Sequence, residues 1–507
     1  MSKRSLGLAS LAAQAALASG LGCASRAPAL REPVVLQAIA PSQAGADDRP
    51  GAPAGPALAP GACPAGSQPD GFDGCAPERD AAERARLDAA IGAAEQTIRD
   101  EQYRNGRTLV ELARLELVRD ASHADHDGPN DAARAQKNAM RAVAVDATTP
   151  GAALVLALAR ARSTLEVVRR SGAEVRAPAL ALVGLAARAA ARAGDWHAAA
   201  ATALVGFARL DAGDAAGARA PFDEAVRSDP SGAAGWLGKG ETARGLHDFE
   251  GAAAAYAKVL GLAPGHADAL RGLAAAARRE PLALVARATV GAPSPELTEG
   301  RLAPPPPPAQ PCDAAAHATP RSEAACRSLE ELGRATTPPA LDEAARHGVD
   351  AYRDLRPDCA SGAPACGPHV ARALLAAARA FVAAGEPAKG IATAKMLLDP
   401  SARGLAQAGL APEVELFVAD AYHALGIYDE AGQWYERHGK GAPQAATAVP
   451  ARARALAIRL ALGQGDAASP AASPPAPDTD GRSPGLALAR GLRLVLADPR
   501  WVRGTAP

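Results

Sequence analysis

"VGFARLDAGDAAGARAPFDEAVRSDP", residues 205–230, and "KGETARGLHDFEGAAAAYAKVLGLAP", residues 239–264, are two copies of one pattern. Five pairs of matching residues recur 34 positions apart: Gly206 and Gly240, Asp214 and Asp248, Ala218 and Ala252, Phe222 and Tyr256, and Pro230 and Pro264. A fixed period of this length is typical of stacked structural repeats. The small residues predict a close approach of two antiparallel helices, the aromatic residue predicts packing between neighbouring hairpins, and the proline predicts the end of the second helix. The same period continues from Trp236 to Leu270, which predicts a further helix over 267–279.

The composition points to the same fold class. The chain has 507 residues, enough for about two or three domains, and its formal net charge is zero. This balance gives no electrostatic attraction to nucleic acid, so no nucleic-acid partner is expected. Aromatic residues make up only 3% of the chain, while alanine is abundant. The composition therefore predicts an all-α protein. In the first half, helical periodicity predicts helices over 78–101, 104–120, 130–146, 151–170 and 178–192.

The repeat resembles the tetratricopeptide repeat (TPR) family most clearly over residues 199–279. Residues 415–439, "ELFVADAYHALGIYDEAGQWYERHG", carry a further unit at the family's relative spacings, with Ala419, Tyr422, Gly426, Tyr428, Ala431 and Tyr435. The resemblance implies helix-turn-helix units that stack into a superhelix with a concave groove. It implies no reactive centre.

Changes in composition divide the chain into seven segments. They are a signal peptide over 1–22, a Pro/Gly/Ala-rich stalk over 23–77, a TPR-like helical module over 78–290, a proline-rich linker over 291–322, a second TPR-like module over 323–466, a linker over 467–484, and a short helix and tail over 485–507. Polyproline sequence such as "APPPPPAQP" is stiff and lacks backbone donors, so it separates modules.

The amino end has the layout of a bacterial export signal. Lys3 and Arg4 precede an uncharged run that ends in small residues before Cys23. The segment resembles a lipoprotein signal, which implies lipid attachment at Cys23 and an exported, membrane-anchored protein, at the outer membrane facing the periplasm. It departs from that pattern at Gly20, where leucine is usual. Simple secretion and an uncleaved anchor are the alternatives.

The other six cysteines form three close couples: Cys63 with Cys75, Cys312 with Cys326, and Cys359 with Cys366. Each couple lies in or beside Pro/Gly-rich sequence, where a short loop can bring two Cα atoms together. If the chain is exported, its thiols meet an oxidising compartment, so three local disulfides are predicted. Free thiols or long-range pairs are the alternatives.

No motif in the chain predicts catalysis, a cofactor or a metal site. "GRSPG" places Ser483 in a nucleophile-elbow pattern, but the parallel-sheet context that such an elbow needs is missing from the sequence. Residues 122–131, "SHADHDGPND", contain possible metal ligands, but a solvated loop in which Asp131 caps the next helix explains them as well. Trp196, Trp236 and Tyr256 are interpreted as packing residues.

These features predict an exported scaffold that binds a protein or peptide partner in the cell envelope, for instance during assembly of an envelope complex, and no small-molecule substrate is expected. The alternative is an accessory part of an exported enzyme that acts on envelope polymers. If Trp236, Gly240 and Ala243 face the paired helix, the next residue along lies about 100° round, on the face that lines the family's groove. The predicted partner-binding residues are Phe207, Leu210, Leu237, Glu241, Arg244, Arg271 and Arg278. They grade from apolar to basic, which suits an extended peptide with an acidic end, although the arginines could also form a solvated face.

Overall fold

The structure is a computed structural model. It describes residues 67–69, 75–77, 81–120, 131–170, 173–192, 196–284, 297, 320–361, 368–399, 409–464 and 486–498. The chain divides into two units, Met1–Ala57 and Leu58–Pro507, and every described residue belongs to the second.

The described residues form an all-α protein with one small strand pair. The helices are α1 Ala81–Asp100, α2 Gly106–Asp120, α3 Asp131–Val145, α4 Ala152–Arg170, α5 Ala173–Ala191, α6 Trp196–Asp211, α7 Ala215–Ser228, α8 Ala233–Gly245, α9 Phe249–Leu262, α10 Ala267–Ala277, α11 Pro320–Arg334, α12 Pro338–Ser361, α13 Pro368–Ala383, α14 Pro387–Met396, α15 Ala411–Ala424, α16 Tyr428–Gly441, α17 Ala448–Ala461 and α18 Leu486–Ala497. Strand β1, Ser67–Pro69, pairs antiparallel with β2, Cys75–Pro77. The predicted all-α class is confirmed.

The helices predicted in the first half agree with the structure to within about three residues, except at the start of α5. This helix begins at Ala173, five residues before the predicted start, and contains Pro178. Proline removes one backbone donor but does not have to begin a helix. Val175 and Ala177 in the extra turn are buried, so packing holds the helix together ahead of the proline.

Helices that are adjacent in the sequence pack against each other in a repeat-like manner. Contacts of this kind run from α1 to α10, from α11 to α14 and from α14 through α15 to α17. Helices two apart also touch, such as α4 with α6 and α6 with α8. Neighbouring hairpins therefore share a continuous core, as stacked repeats require.

The aromatic residue of each repeat copy lies between two glycines. A Cβ atom added at either Gly206 or Gly238 would overlap the ring of Phe222, and a Cβ atom added at Gly240 or Gly272 would overlap the ring of Tyr256. Both rings are fully buried. The aromatic side chain thus fills the space between one hairpin and the next, as the sequence predicted, and the glycines allow it to reach that position.

The aspartates of the repeat begin the second helix of each hairpin. Asp214 accepts a hydrogen bond from the backbone N–H of Gly217 at 3.0 Å, and Asp248 accepts one from Gly251 at 2.9 Å. Such caps satisfy backbone donors that the first helical turn leaves without partners. The two caps are 34 residues apart, so each repeat copy starts its second helix in the same way.

The carboxy-terminal helices pack on the amino-terminal ones. Contacts join α17 to α5 and α14 to α3. Arg160 of α4, which is buried, makes an ion pair of 2.9 Å with Asp429 of α16. The stretches on either side of the proline-rich segment are therefore in contact within the second unit.

Candidate functional site

The last helix, α18, lies against the first helices of three successive hairpins. It contacts α6 most extensively and also contacts α4 and α8, and it makes an ion pair with α10. We call the residues of α4, α6, α8 and α10 that face it the α18-binding surface. The apolar side chains of α18 itself are each at most 7% exposed: Ala487, Leu488, Ala489, Leu492, Leu494, Val495 and Leu496.

A close contact at Gly491 brings the backbone of α18 onto α6. A Cβ atom at this position would overlap the ring of Phe207. That ring is fully buried and packs edge-on against Phe222, with 4.8 Å between the ring centroids. Only a residue without a side chain fits at position 491 while Phe207 keeps this position.

Two arginines of α18 pair with acids of the repeats. Arg490 approaches Glu241 of α8 through two nitrogens, with Nε 2.5 Å from Oε1 and Nη2 donating to Oε2 at 2.8 Å. Arg493 donates to Oδ2 of Asp268 on α10 at 3.0 Å. Arg271 donates to the other oxygen of Asp268 at 2.6 Å, so this carboxylate joins the repeat to α18.

In these ion pairs, the partners of Arg490 and Asp268 shift the pKa of each group in the direction that favours the charged form. Burial alone would lower the pKa of Arg490, but the charge and hydrogen bond of Glu241 raise it above its ordinary value. Burial would raise the pKa of Asp268, but Arg493 and Arg490 lower it well below its usual range. Each charge compensates a buried partner. Removal of one would therefore leave the other as an uncompensated buried charge, which destabilises the contact.

The amino end of α18 is capped by a residue distant in the sequence. The carboxylate of Asp211, at the end of α6, accepts hydrogen bonds from the backbone N–H groups of Ala487 at 3.0 Å and Leu488 at 2.9 Å. These donors belong to the first helical turn, which also carries the positive end of the helix dipole. Burial nevertheless raises the pKa of Asp211 to about 7.

A cavity of about 340 Å³ lies beside the carboxy-terminal turn of α18. Its lining includes Leu262, His266, Leu494 and Val495. It is half-open to solvent, so the surface beside this end of α18 is concave.

The structure separates the predicted partner-binding residues into two groups. Phe207, Leu210, Leu237 and Glu241 are buried, and Phe207 and Glu241 directly contact α18. The arginines have acceptors elsewhere in the chain: Arg244 donates to the backbone oxygens of Glu280 and Pro281, Arg271 to Asp268, and Arg278 to Glu280.

The charge that faces α18 differs from the basic end expected from these arginines. The acids Asp211, Glu241 and Asp268 contact α18 instead. The sequence analysis missed Asp211, Asp268, Arg490, Gly491 and Arg493. The available signal was the pair of arginines in an otherwise apolar helix, "LALARGLRLVLA", because buried arginines require acidic partners.

Most of the other predicted sites fall outside the part of the chain that the structure describes. This applies to the lipid-attachment residue Cys23, to Cys63, Cys312 and Cys366, to Ser483, and to residues 121–130. Cys75 lies in β2 and Cys359 in α12, and only their backbone is described. Cys326 of α11 is buried and disulfide-bonded. The pairing of the three couples stays a prediction.

No group of three or more His, Cys, Asp or Glu side chains among the described residues is placed to hold a metal ion. Within the same residues, no helix is both long enough and apolar enough to cross a membrane.

Comparison with known proteins gives no match: no family model fits the chain, and no curated protein is significantly similar to it.

Proposed function

We propose that this chain is an exported, lipid-anchored scaffold of TPR-type repeats that binds a protein or peptide partner in the bacterial envelope. The proposal combines the lipoprotein-like sequence before Cys23, the 34-residue repeat and the stacking of adjacent helices. On this view the hairpins form a superhelix, in two modules joined by the proline-rich linker over 291–322. Its concave face includes the α18-binding surface.

The observation that carries the proposal is that this surface holds a helix. Three successive hairpins present an apolar floor around Phe207, and acidic side chains at Asp211, Glu241 and Asp268. An extended face built from several repeats binds a segment without any reactive group. Binding of a polypeptide segment therefore accounts for the geometry better than catalysis does.

Site-specific photo-crosslinking in intact cells tests this proposal. A photoreactive residue at Arg271, which is exposed and pairs with the acid that contacts α18, should form an adduct with one defined envelope protein. The matched control is Lys258, which is exposed on α9, the second helix of the preceding hairpin. Equal adducts at both positions, or none at Arg271, would contradict partner binding at this surface.

The envelope location has its own test. Metabolic labelling with a palmitate analogue should mark the wild-type protein and not the Cys23→Ser variant. Equal labelling of both proteins, or recovery of an intact amino-terminal peptide by mass spectrometry, would remove the lipid anchor from the proposal.

A further inference from the structure

We propose that the α18-binding surface is a receptor for one kind of helix, leucine-rich with an Arg-Gly-x-Arg segment, and that α18 occupies it in place of a similar helix from a partner protein. The inference rests on the proposed function and specifies the chemistry of the partner. It is carried by four features of the contact between α18 and the repeats.

The first feature is that the repeats themselves do not supply the basic partner of Glu241. In the carboxy-terminal repeat, Asp420 stands at the equivalent position, because it precedes Tyr435 by 15 residues as Glu241 precedes Tyr256. Asp420 lies 3.9 Å from Arg454, which is the seventh residue of α17. The seventh residue of α10 is Leu273, so α10 offers no arginine at the equivalent position. Glu241 therefore pairs with an arginine of α18, from outside the repeat.

The second feature is that the contact recognises a helix of defined start and sequence. Asp211 accepts from the backbone N–H groups of residues 487 and 488, so it recognises the beginning of a helix and no particular side chain. Arg490 and Arg493 then meet Glu241 and Asp268, and Gly491 lies on Phe207. A partner helix needs the same order: a free first turn, then Arg-Gly-x-Arg, with leucines between these positions.

The third feature is that the acidic groups of the surface can be hydrated when no helix is bound. Asp211, Glu241 and Asp268 are carboxylates, which are readily hydrated when a surface is open. A permanent core contact would be at least as stable with apolar residues, since buried ion pairs often add little net stability and can give specificity instead. The acids are therefore compatible with a surface that is exposed while α18 is away.

The fourth feature is that α18 is joined to α17 by a long segment and borders a half-open pocket. Residues 465–485 separate the described parts of the two helices, and these 21 residues can span at most about 70 Å. The pocket, of about 340 Å³, lies beside Leu494 and Val495. A partner helix with larger side chains at these two positions would reach into the pocket and bury more apolar surface than α18 does.

Peptide binding to the full-length chain tests the inference. In the Gly491→Leu protein the new side chain would overlap Phe207, so α18 should leave its site while the repeats stay folded. A fluorescent peptide of residues 483–499 should then bind with micromolar affinity, measured by anisotropy. The wild-type protein should bind the peptide at least about 100-fold more weakly, because the tethered α18 competes at an effective concentration near millimolar.

Two matched controls make the result specific. A Gly261→Leu protein should behave as the wild type, because an added Cβ at Gly261 meets no atom within 4 Å. A protein with both Gly491→Leu and Glu241→Arg should lose the wild-type peptide and bind a peptide that carries Arg490→Glu. Restored binding after this exchange of charges would show that the ion pair between residues 490 and 241 determines which peptide binds.

Three results would overturn the inference: no peptide binding by the Gly491→Leu protein, loss of the folded repeats in that protein, or α18 still docked in it. Failure of the proposed function looks different. Peptide binding without an envelope adduct at Arg271 would support the helix receptor and contradict the envelope partner. An adduct at Arg271 without peptide binding would do the reverse.

Discussion

Two tyrosines at equivalent positions show how the two repeat regions differ. Tyr256 and Tyr435 each lie eight residues after the N-cap of their helix. The Tyr256 ring lies between two glycines. Burial raises the pKa of its hydroxyl and nearby Arg244 acts to lower it, but the hydroxyl makes no hydrogen bond of good geometry to any described residue. The Tyr435 hydroxyl donates to Asp420 at 2.6 Å and accepts from Arg454 at 3.2 Å. The same aromatic position is therefore apolar packing in one region and part of a buried polar network in the other.

The acids beside these tyrosines extend the contrast. In the carboxy-terminal region, Asp420 accepts from the hydroxyl of Tyr435 and lies 3.9 Å from Arg454, which belong to the two helices that follow its own. In the amino-terminal region, Glu241 pairs with Arg490 of α18, which is 249 residues away in the sequence. Asp420 is thus paired by helices of its own region, whereas Glu241 in the amino-terminal repeats is paired by an added helix. Similar hairpins can therefore pair a buried acid with a neighbouring repeat helix or with a helix distant in the sequence.

The largest expected difference between the regions comes from removal of an arginine. Arg454→Leu should lower the free energy of unfolding by about 3–5 kcal/mol, because Asp420 is left buried with its charge uncompensated. Arg490→Leu should cost less, because release of α18 returns Glu241 to water. Chemical denaturation of both variants checks this, with Arg353→Leu as a control, since Arg353 and its partner Asp350 are both exposed. Equal losses for Arg454→Leu and Arg490→Leu would mean that the regions do not differ in this way.

A smaller effect is the pH dependence that His423 contributes in the carboxy-terminal region. Burial, and then the charge of Arg454, lower the pKa of His423 from 6.5 to about 4. The unfolded chain therefore takes up a proton more readily, so this contribution is present above pH 6.5 and is lost as the pH falls toward 4. The loss should be about 2–3 kcal/mol between pH 7 and pH 4.

The His423→Leu variant isolates this contribution from that of other groups. Its free energy of unfolding, measured across the same pH range, should lack the part of the slope that His423 causes. Identical slopes for the wild type and the variant would show that His423 titrates normally in the folded protein.

The smallest effect is the removal of one hydroxyl from either tyrosine. Tyr435→Phe takes a hydrogen-bond donor from the buried Asp420 and should destabilise the protein by about 1–3 kcal/mol. Tyr256→Phe removes a hydroxyl without a well-placed partner and should change stability by at most about 0.5 kcal/mol. Thermal melts of the two variants give the comparison, and a larger loss for Tyr256→Phe would reverse it.

Local patterns in the sequence predicted most of the helical structure. The 34-residue period predicted the positions of Phe222 and Tyr256 between hairpins, because small and aromatic residues at fixed spacing determine which surfaces can approach. Asp214 and Asp248 precede helices that they cap. The start of α5 was wrong because tertiary packing outweighed the preference of Pro178 for a first turn.

The candidate site was less predictable because its contacts join distant parts of the chain. Helical offset placed Phe207, Leu237 and Glu241 on one surface, but it could not show that α18 covers them. Arg490 and Arg493 lie three residues apart and so share one face of α18, but this local pattern does not identify the helices that supply their acidic partners. The basic groove expected from Arg244, Arg271 and Arg278 stays a prediction. In the structure these arginines donate to backbone or carboxylate oxygens of the repeat region, and acids contact α18.

Native-state hydrogen exchange of the wild-type protein tests the central claim, that α18 is a bound helix which can leave without unfolding the repeats. The α18 amides should exchange through an opening whose free energy is at least about 2 kcal/mol lower than that of the opening of α6 and α8. The free energy of the α18 opening should also depend less on denaturant. If α18 exchanges only with α6 and α8, at the same free energy and denaturant dependence, it is a permanent part of their core and the claim is contradicted.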